Sequence, residues 1–191
     1  MRLPQEDFCQ VEGCSPLRKY ENDGGPGLKA LFGTLRQSVN AEADMKTLMA
    51  AQVLFWLLRA PDGHAKNFSI QLLPRGRFQL TPLYDGMSVY PVLGNAPNQW
   101  SPHEIKLAMA LLGKNRHYEM QGIQRRHFNS TVQKVGYAST AEPIIEEILA
   151  RTPAAIAEVQ SELPQDFSPR VLDAILGGLE QAARTLGGMP S

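Results

Sequence analysis

One segment near the middle of the chain constrains the fold more than any other. From Val53 to Leu58 the sequence is VLFWLL, which closes a longer helical pattern over residues 41–59 and is apolar on every side of a helix. Such a helix has to be covered by neighbouring elements, so we expect it to be the central helix of one core. Pro61 ends it at about Ala60, because the residue before a proline avoids helical backbone angles.

Directly after this helix the hydrophobic period changes from that of a helix to that of a strand. Residues 68–73 (FSIQLL) and 78–83 (FQLTPL) are separated by the turn sequence PRGR at 74–77. Two short apolar runs joined by a turn predict a β-hairpin. Only the polar loop DGHAKN, residues 62–67, lies between the helix and the hairpin. The sequence therefore predicts a buried helix, a short loop and a hairpin in direct succession.

Most of the remaining chain has helical character. Apolar residues recur at helical spacing over residues 28–39, and Asn40 can cap the helix that follows. The run 105–112 fits a strand or a helix equally well. Pro143 and Pro153 are expected near helix starts, where a missing N–H does no harm. Further helices are predicted at residues 120–135, 140–151, 153–162 and 168–186. The fold class that we expect is mainly α with one small β-hairpin.

Composition excludes several classes of protein. The chain has 191 residues, 43% of them hydrophobic, which is enough for one domain with a real core. Lys+Arg and Asp+Glu are both 19, so the overall charge does not indicate nucleic-acid or membrane binding. Cys9 and Cys14 are too few for a disulfide framework or a tetrahedral metal site, which predicts buried free thiols. With no signal-peptide pattern and no apolar run of about 20 residues, we expect a soluble cytoplasmic protein.

The polar loop has a spacing that is typical of one chemistry. Asp62 is followed five positions later by Asn67, the D-x-x-x-x-N spacing of a kinase catalytic loop. In such a loop the Asp accepts the proton of the substrate hydroxyl, and the Asn side-chain oxygen binds Mg²⁺. A second metal ligand follows a short hairpin in kinases, and here Asp85 follows the predicted hairpin. Because a hairpin returns its end close to its start, Asn67 and Asp85 should reach one ion.

Several segments resemble the HipA family of serine/threonine toxin kinases. They are PDGHAKNFSI followed by FQLTPLYD, RLPQEDFCQ at the start, KYENDGGPG at residues 19–27, and LPQDFSPRVLDAILGGLE near the end. They occur in the family's order and extend over nearly the whole chain. The resemblance implies that residues 1–191 form a protein-kinase-like C-terminal lobe.

The resemblance also implies an activity and the residues that carry it. The activity is phosphoryl transfer from ATP to a protein serine, with Mg²⁺ as the metal. Asp62 resembles the family's general base, and Asn67 and Asp85 resemble its Mg²⁺ ligands. The residues that the resemblance places around the nucleotide are His64, Lys66, Asn67, Tyr84 and Asp85.

Protein partners are implied in the same way. HipA-like kinases phosphorylate a serine of their own or of a translation-linked protein such as glutamyl-tRNA synthetase. They are commonly paired with a helix-turn-helix antitoxin, and the complex represses its own operon, so a weak operator-DNA contact through a complex is implied as well. In this chain the basic residues Arg125, Arg126 and His127, with Lys134, are better explained as a solvated helix face.

Two elements of a complete kinase are not recognisable. The sequence has no G-x-G-x-x-G loop and no lysine in a V-A-I-K-like strand, and in the family both precede the region at which this chain begins. We therefore expect the N-terminal nucleotide-binding lobe to be absent and a separate N-lobe to be a partner. The dipeptide Ala60-Pro61 also departs from the polar residue that many relatives carry before the catalytic Asp.

Two other functions stay open at this point. One is a catalytically inactive lobe that acts as a protein- or DNA-complex interaction module, which the missing lobe favours. The other is a small-molecule kinase, which shares the D-x-x-x-x-N logic but leaves RLPQEDFCQ unexplained. The turn GGPG at 24–27 is interpreted as plain structure, and the triplet QED at 5–7 as helix capping and surface.

Individual residues have simpler alternatives as well. Asn67 could only brace the loop through side-chain to backbone bonds, and Asp85 could be an ordinary turn aspartate. His64 is as suited to holding loop backbone as to contacting a nucleotide. Lys66 fits a phosphate-facing cation or a surface charge, and Tyr84 fits the core or a nucleotide wall.

Overall fold

The computed structural model describes residues 3–191 as a mainly helical fold with two small antiparallel sheets. The helices are α1 (Phe8–Val11), α2 (Leu28–Leu35), α3 (Ala41–Leu57), α4 (Arg125–Lys134), α5 (Glu142–Glu162) and α6 (Pro169–Gly187). The strands are β1 (Gln5–Asp7), β2 (Ser69–Leu73), β3 (Arg77–Leu80), β4 (Lys106–Leu112) and β5 (Arg116–Glu119). The fold class predicted from the sequence is confirmed.

Helix α3 is the centre of the core, as its apolar sequence predicts. Leu48, Met49, Val53 and Leu57 on this helix are fully buried, and α2, α5 and α6 all pack against it. Trp56 is also buried and donates its indole N–H to the carbonyl of Met120 at 2.8 Å. The helix is thereby fixed both by packing and by a directed bond, so the loop at its end starts from a rigid point.

The predicted hairpin is present and belongs to a larger sheet. Strands β2 and β3 pair antiparallel, with Ile70 opposite Leu80, across a turn at Pro74–Gly76. Strand β1 pairs with the other edge of β2, with Glu6 opposite Ile70. The triplet QED is therefore a strand as well as a helix cap, which the sequence interpretation missed.

A buried carboxylate ties the hairpin to the central helix. Asp44 on α3 accepts a hydrogen bond from the backbone N–H of Leu80 at 2.8 Å and another from the hydroxyl of Ser38. The N–H of Val39 donates to the carbonyl of Phe78 on the same strand. Because residues 36–39 turn to make these contacts, α2 ends at Leu35 and not at Val39 as predicted.

The run at 105–112 is a strand, which decides the alternative that the sequence left open. β4 pairs antiparallel with β5 in a second sheet of two strands. The predicted helix over 120–135 is shorter than expected, because Met120–Gly122 form a 3₁₀ turn and α4 begins only at Arg125. The buried side chain of Met120 holds this turn against the core.

The two helices predicted at residues 140–151 and 153–162 form one continuous helix in the structure. Helix α5 runs from Glu142 to Glu162 with Pro153 inside it, so the prediction of a helix start at this proline is wrong. A proline in a helix removes one hydrogen bond. Helix α5 packs against α3 and α6 and buries Ile145 and Ile156, and this packing maintains the continuous helix.

The prediction of a solvated basic face on α4 is wrong for two of its residues. Arg125 is buried and its guanidinium bonds to Glu142 and Glu146 on α5. His127 is also buried, and its ring stacks on His117 with 3.8 Å between ring centroids. Only Arg126 and Lys134 lie on the surface, as a solvated face requires.

Two further predictions from composition concern the state of the cysteines and the absence of a membrane-spanning helix. Cys9 is a buried free thiol, whereas Cys14 is a half-buried one. Among the helices within residues 3–191, none combines the length and the apolarity that crossing a bilayer requires.

Candidate active site

The polar loop starts at a fixed end of α3. Arg59 adopts left-handed backbone angles (φ 49°), and the N–H of Ala60 returns to the carbonyl of Phe55 at 2.8 Å. This pattern is a helix-ending motif in which glycine is the usual left-handed residue. The carbonyl of Arg59 also accepts from the N–H of Val89. The loop that carries Asp62 is therefore held by backbone bonds on its approach.

Asp62 faces an open cleft. Its side chain is 37% exposed and lines a cavity of about 580 Å³. One carboxylate oxygen, Oδ1, accepts a hydrogen bond from the phenol of Tyr20 at 2.5 Å. The Nε2 atom of His64 lies 3.5 Å from the same oxygen. Within residues 3–191 no donor bonds to the second oxygen, which leaves it available to a ligand.

The cleft is wide enough for part of a polypeptide and mixes charged with apolar walls. Trp100 and Met87 are exposed large side chains at its surface. Asp23 and Glu104 add carboxylates to its lining. The lining therefore offers both charged and apolar contacts to a ligand.

The structure brings Asn67 and Asp85 into contact, as the hairpin geometry predicts. The Nδ2 atom of Asn67 donates to Oδ2 of Asp85 at 2.9 Å. Asn67 is buried in the 3₁₀ turn Ala65–Asn67, whereas Asp85 is exposed and adopts left-handed backbone angles (φ 57°). Neither residue lines the cleft of Asp62. The two groups predicted to hold a metal therefore lie beside the cleft and not in it.

Hydrogen bonds connect this pair to the main chain of Asp62. The N–H of His64 lies 2.9 Å from the carbonyl of Asp62 and 3.3 Å from Oδ1 of Asn67. The N–H of Asn67 in turn donates to the carbonyl of His64. The loop thus fixes Asp62 relative to Asn67, and through Asn67 relative to Asp85.

The ring of His64 is buried and neither of its nitrogens has a hydrogen-bond partner in the described chain. Burial lowers the pKa of His64 although Asp62 partly opposes this shift. An unpaired polar atom in the interior is unfavourable, so it commonly marks a position where a ligand or water binds. The ring is therefore an available neutral partner beside Asp62.

Lys66 and Tyr84 are both engaged with the loop. Lys66 forms an ion pair with Asp7 at 2.6 Å, and this hydrogen bond raises the pKa of Lys66. The phenol of Tyr84 donates to the carbonyl of Lys66 at 2.7 Å and contacts the hydroxyl of Ser69 at 2.6 Å. Tyr84 therefore braces the loop against β2, and Lys66 connects it to β1.

Two site residues were missed when the sequence was interpreted. Tyr20 bonds Asp62, and the buried Glu21 accepts from the N–H of Ala110 on β4 at 2.7 Å. Both belong to KYENDGGPG, which was noticed for its family resemblance, while its glycine turn was assigned to structure alone. Their partners lie 42 and 89 positions away along the chain, so no local spacing could reveal them.

Gly63 should not tolerate any side chain. A Cβ atom at this position would lie 2.3 Å from Cε2 and 2.4 Å from Cδ2 of Phe55. The Phe55 ring is buried and packs edge-on against Phe68, so it cannot move without disturbing the core. We expect Gly63→Ala to lower the free energy of unfolding by about 1–3 kcal/mol, measured by urea denaturation.

A matched control is Gly33→Ala on α2, where the added Cβ would meet nothing within 4 Å. Alanine favours a helix over glycine by about 0.5–1 kcal/mol, so this variant should be more stable than the original protein. Equal stability of the two variants would show that the loop adapts to a side chain at Gly63.

Comparisons with known proteins found a matching family model, a related sequence and a similar fold. The family model described as the HipA-like C-terminal domain matches residues 1–156. A Sinorhizobium fredii protein with the name "Putative kinase Y4mE" is 40% identical over 95 residues, which are 48% of this chain. A chain of the Shewanella oneidensis HipA, HipB and operator DNA complex superposes with a TM-score of 0.82 over 98% of this chain, at 24% identity.

The relatives are longer than the chain. It covers 45% of the chain from Shewanella oneidensis and 22% of Y4mE. The structural match establishes the kinase-like fold.

Proposed function

Because the chain belongs to the HipA-like C-terminal domain family, we propose that it is the catalytic lobe of a serine/threonine protein kinase. The observation that carries the proposal is the arrangement around one loop. Asp62 presents a free carboxylate oxygen to a cleft of about 580 Å³, and the Asn67–Asp85 pair is held beside it by the same loop. Kinases use the same residue types for phosphoryl transfer, namely an Asp that accepts the hydroxyl proton and an Asn and a second Asp that hold the metal.

In this proposal Asp62 binds the acceptor serine. Its free oxygen accepts a hydrogen bond from the serine hydroxyl, which orients the hydroxyl and takes its proton as the new bond to phosphorus forms. The buried loop backbone keeps Asp62 in one place, since positioning contributes most of the rate in this chemistry. The mixed lining of the cleft, with Trp100 and Glu104, receives the polypeptide around the serine.

The residues present fit a magnesium-bound nucleotide. Asp85 supplies an exposed carboxylate, and Asn67 supplies an amide that already contacts it. In the described residues no three His, Cys, Asp or Glu side chains cluster as a metal site. A pair of oxygen ligands suits Mg²⁺, which usually completes its shell with phosphate and water. Mg²⁺–ATP, when bound, supplies the phosphoryl group and neutralises charge on the phosphates.

Binding of the amide oxygen to a cation requires a change at Asn67. Its oxygen now accepts from His64 and its nitrogen faces Asp85. Rotation of the amide by half a turn would present the oxygen on the side of Asp85.

Further chain is needed to cover the nucleotide. The two hairpins within residues 3–191 turn at Pro74–Gly76 and at 113–115, and neither carries G-x-G-x-x-G. We propose that a nucleotide-binding lobe, on the same polypeptide or on a partner, completes the site. The experiments below therefore use the longest polypeptide that carries this sequence, together with the chain as printed.

The test of the metal side is calorimetric titration with ATP in the presence and absence of Mg²⁺. We expect Mg²⁺ to strengthen ATP binding, and Asp85→Asn to weaken the Mg²⁺-dependent binding at least about tenfold. Asp173→Asn makes the same chemical change at an exposed position on α6 and should bind as the original protein does.

The outcomes of this titration separate two conclusions. If Asp85→Asn and the original protein bind Mg²⁺–ATP equally, Asp85 is not a metal ligand. If the longest polypeptide binds no ATP while remaining folded, the catalytic proposal fails and an interaction module becomes the better account.

The partner that we propose is an antitoxin of the HipB kind. The solved relative from Shewanella oneidensis is described in a complex of HipA, HipB and operator DNA. Co-purification of this protein with the product of an adjacent gene, followed by binding of the complex to the intervening DNA, would support this partner.

A further inference from the structure

The segment KYENDGGPG, residues 19–27, connects the catalytic loop to the second sheet. Tyr20 donates its phenol hydrogen to Oδ1 of Asp62 at 2.5 Å. The next residue, Glu21, is buried and accepts from the N–H of Ala110 on β4 at 2.7 Å. Adjacent residues thus bond the proposed catalytic carboxylate on one side and a core strand on the other. A turn does not require either of these two hydrogen bonds, because both join the segment to residues distant in the chain.

Two glycines of this segment leave no room for a side chain. The carbonyl of Tyr20 accepts from the N–H of Gly25 at 2.9 Å, and a Cβ on Gly25 would lie 2.1 Å from the carbonyl oxygen of Arg18. A Cβ on Gly27 would lie 2.3 Å from the carboxyl carbon of Glu21. The backbone therefore folds tightly behind Tyr20 and Glu21, and this fixes the direction of both side chains.

We propose that Tyr20 is a positioning residue that holds Asp62 for catalysis. Its phenol occupies Oδ1 and so fixes the rotation of the carboxylate, while the second oxygen remains free towards the cleft that both residues line. An acceptor hydroxyl then meets one oxygen in one orientation, and its proton passes to that oxygen. This inference rests on the proposed kinase function, because it assigns a task to Tyr20 only if Asp62 is the base.

The surroundings of the ring agree with a fixed donor. The Tyr20 ring packs edge-on against His64 with 5.1 Å between ring centroids, and the ammonium of Lys19 lies 5.1 Å from the ring centre. The hydrogen bond to Asp62 raises the pKa of Tyr20 to about 12. The phenol therefore stays protonated at physiological pH and donates to Asp62, so it cannot compete with Asp62 as a base.

The kinetic test compares Tyr20→Phe with Tyr137→Phe in the longest polypeptide that carries this sequence. Tyr137 lies away from the cleft, against Phe32, so its variant removes a hydroxyl without touching the site. We expect Tyr20→Phe to lower kcat by about tenfold, which is typical for loss of a hydrogen bond to a charged group, and to leave KM for ATP unchanged. Tyr137→Phe should keep both values.

A spectroscopic test needs no activity and does not depend on how well Tyr20→Phe folds. In the chain labelled with ¹³C at tyrosine Cζ, a phenol that donates strongly to a carboxylate resonates downfield of an ordinary one. We expect the Tyr20 signal to move upfield in Asp62→Ala, and the Tyr137 signal to stay in place. If the chemical shift of the Tyr20 signal does not change in Asp62→Ala, the hydrogen bond between Tyr20 and Asp62 does not exist in solution.

The outcomes distinguish this inference from the proposed function. If Asp62→Asn retains full activity, the kinase assignment of Asp62 fails, whatever Tyr20 does. If Asp62→Asn is inactive and Tyr20→Phe keeps the original kcat, the positioning role of Tyr20 is wrong while the kinase proposal stands. A kcat higher in Tyr20→Phe than in the original protein also overturns it, since the phenol would then obstruct the acceptor.

Discussion

Replacement of Asp62 by Asn is expected to lower the rate of phosphoryl transfer by about 10²–10⁴-fold, the usual contribution of a general base. The amide keeps the shape of the side chain and can still accept the bond from Tyr20, but it cannot take a proton from the acceptor serine. Asp62 is part-exposed, so the substitution should leave the fold intact. Transfer of labelled phosphate from ATP to protein measures the rate.

Two controls make this result specific to Asp62. Asp173→Asn, on the exposed face of α6, removes the same charge and should keep the original rate. Calorimetry should show that Asp62→Asn binds Mg²⁺–ATP as tightly as the original protein, because the proposed metal ligands Asn67 and Asp85 lie beside the cleft and not in it. If Asp62→Asn transfers phosphate within about threefold of the original rate, another group is the base.

Local sequence information was sufficient for the parts of the site that are close in the chain. The change of hydrophobic period after Pro61 predicted both the loop and the hairpin. A hairpin brings its ends together whatever surrounds it, so the contact of Asn67 with Asp85 followed from chain geometry. Pro61 placed the end of α3 only approximately, because the helix ends at Leu57 and not at residue 59, where Arg59 adopts left-handed backbone angles.

Contacts between distant segments could not be predicted in this way. Nothing in the sequence around Tyr20 distinguishes it from other tyrosines. Only the folded chain shows that its hydroxyl reaches Asp62. The strand β1 was hidden because three residues have no usable period, and it pairs with β2 more than 60 positions away. Patterns in a single sequence indicate burial and local geometry. They do not indicate which distant residue packs against or bonds to a given side chain.

Packing also overrode two local rules. Pro153 was taken to start a helix, yet the apolar contacts of α5 with its neighbours hold the helix through the lost hydrogen bond. A basic residue on a polar helix was taken to be solvated, yet Arg125 has two carboxylates from α5 to satisfy it. Both exceptions concern α5, whose position depends on the whole helical half of the fold.

The polar loop, residues 62–67, is supported from two independent directions. Tyr84 ties its carbonyl at Lys66 to β2, and Tyr20 ties its carboxylate at Asp62 to the segment anchored on β4. The first contact fixes the loop backbone, and the second fixes the carboxylate of Asp62 that we propose as the base. A variant of Tyr84 should therefore disturb the whole loop, whereas a variant of Tyr20 should act mainly on the orientation of Asp62.

The largest expected effect on stability comes from Arg125. Its side chain is 5% exposed, and its guanidinium bonds to Glu142 and Glu146 and lies 3.5 Å from the carbonyl of Leu186 on α6. Arg125→Met fills the same space with an apolar chain but leaves the half-buried carboxylate of Glu142 without a cation, with only the amide of Asn129 still bonded to it. We expect the free energy of unfolding to fall by about 3 kcal/mol, the lower end for loss of one partner of a buried ion pair.

The lower end applies because the two carboxylates can still reach water. The side chains of Glu142 and Glu146 are 23% and 63% exposed, so part of their charge remains solvated after the arginine is removed. The matched control is Arg126→Met, which removes the same charge from the next residue on the exposed side of α4 and should change stability by less than about 0.5 kcal/mol. Urea denaturation of both variants measures the difference. If the two variants are equally stable, the bonds of Arg125 do not hold α4 to α5 in solution, and the packing of their apolar residues alone fixes the helical half of the fold.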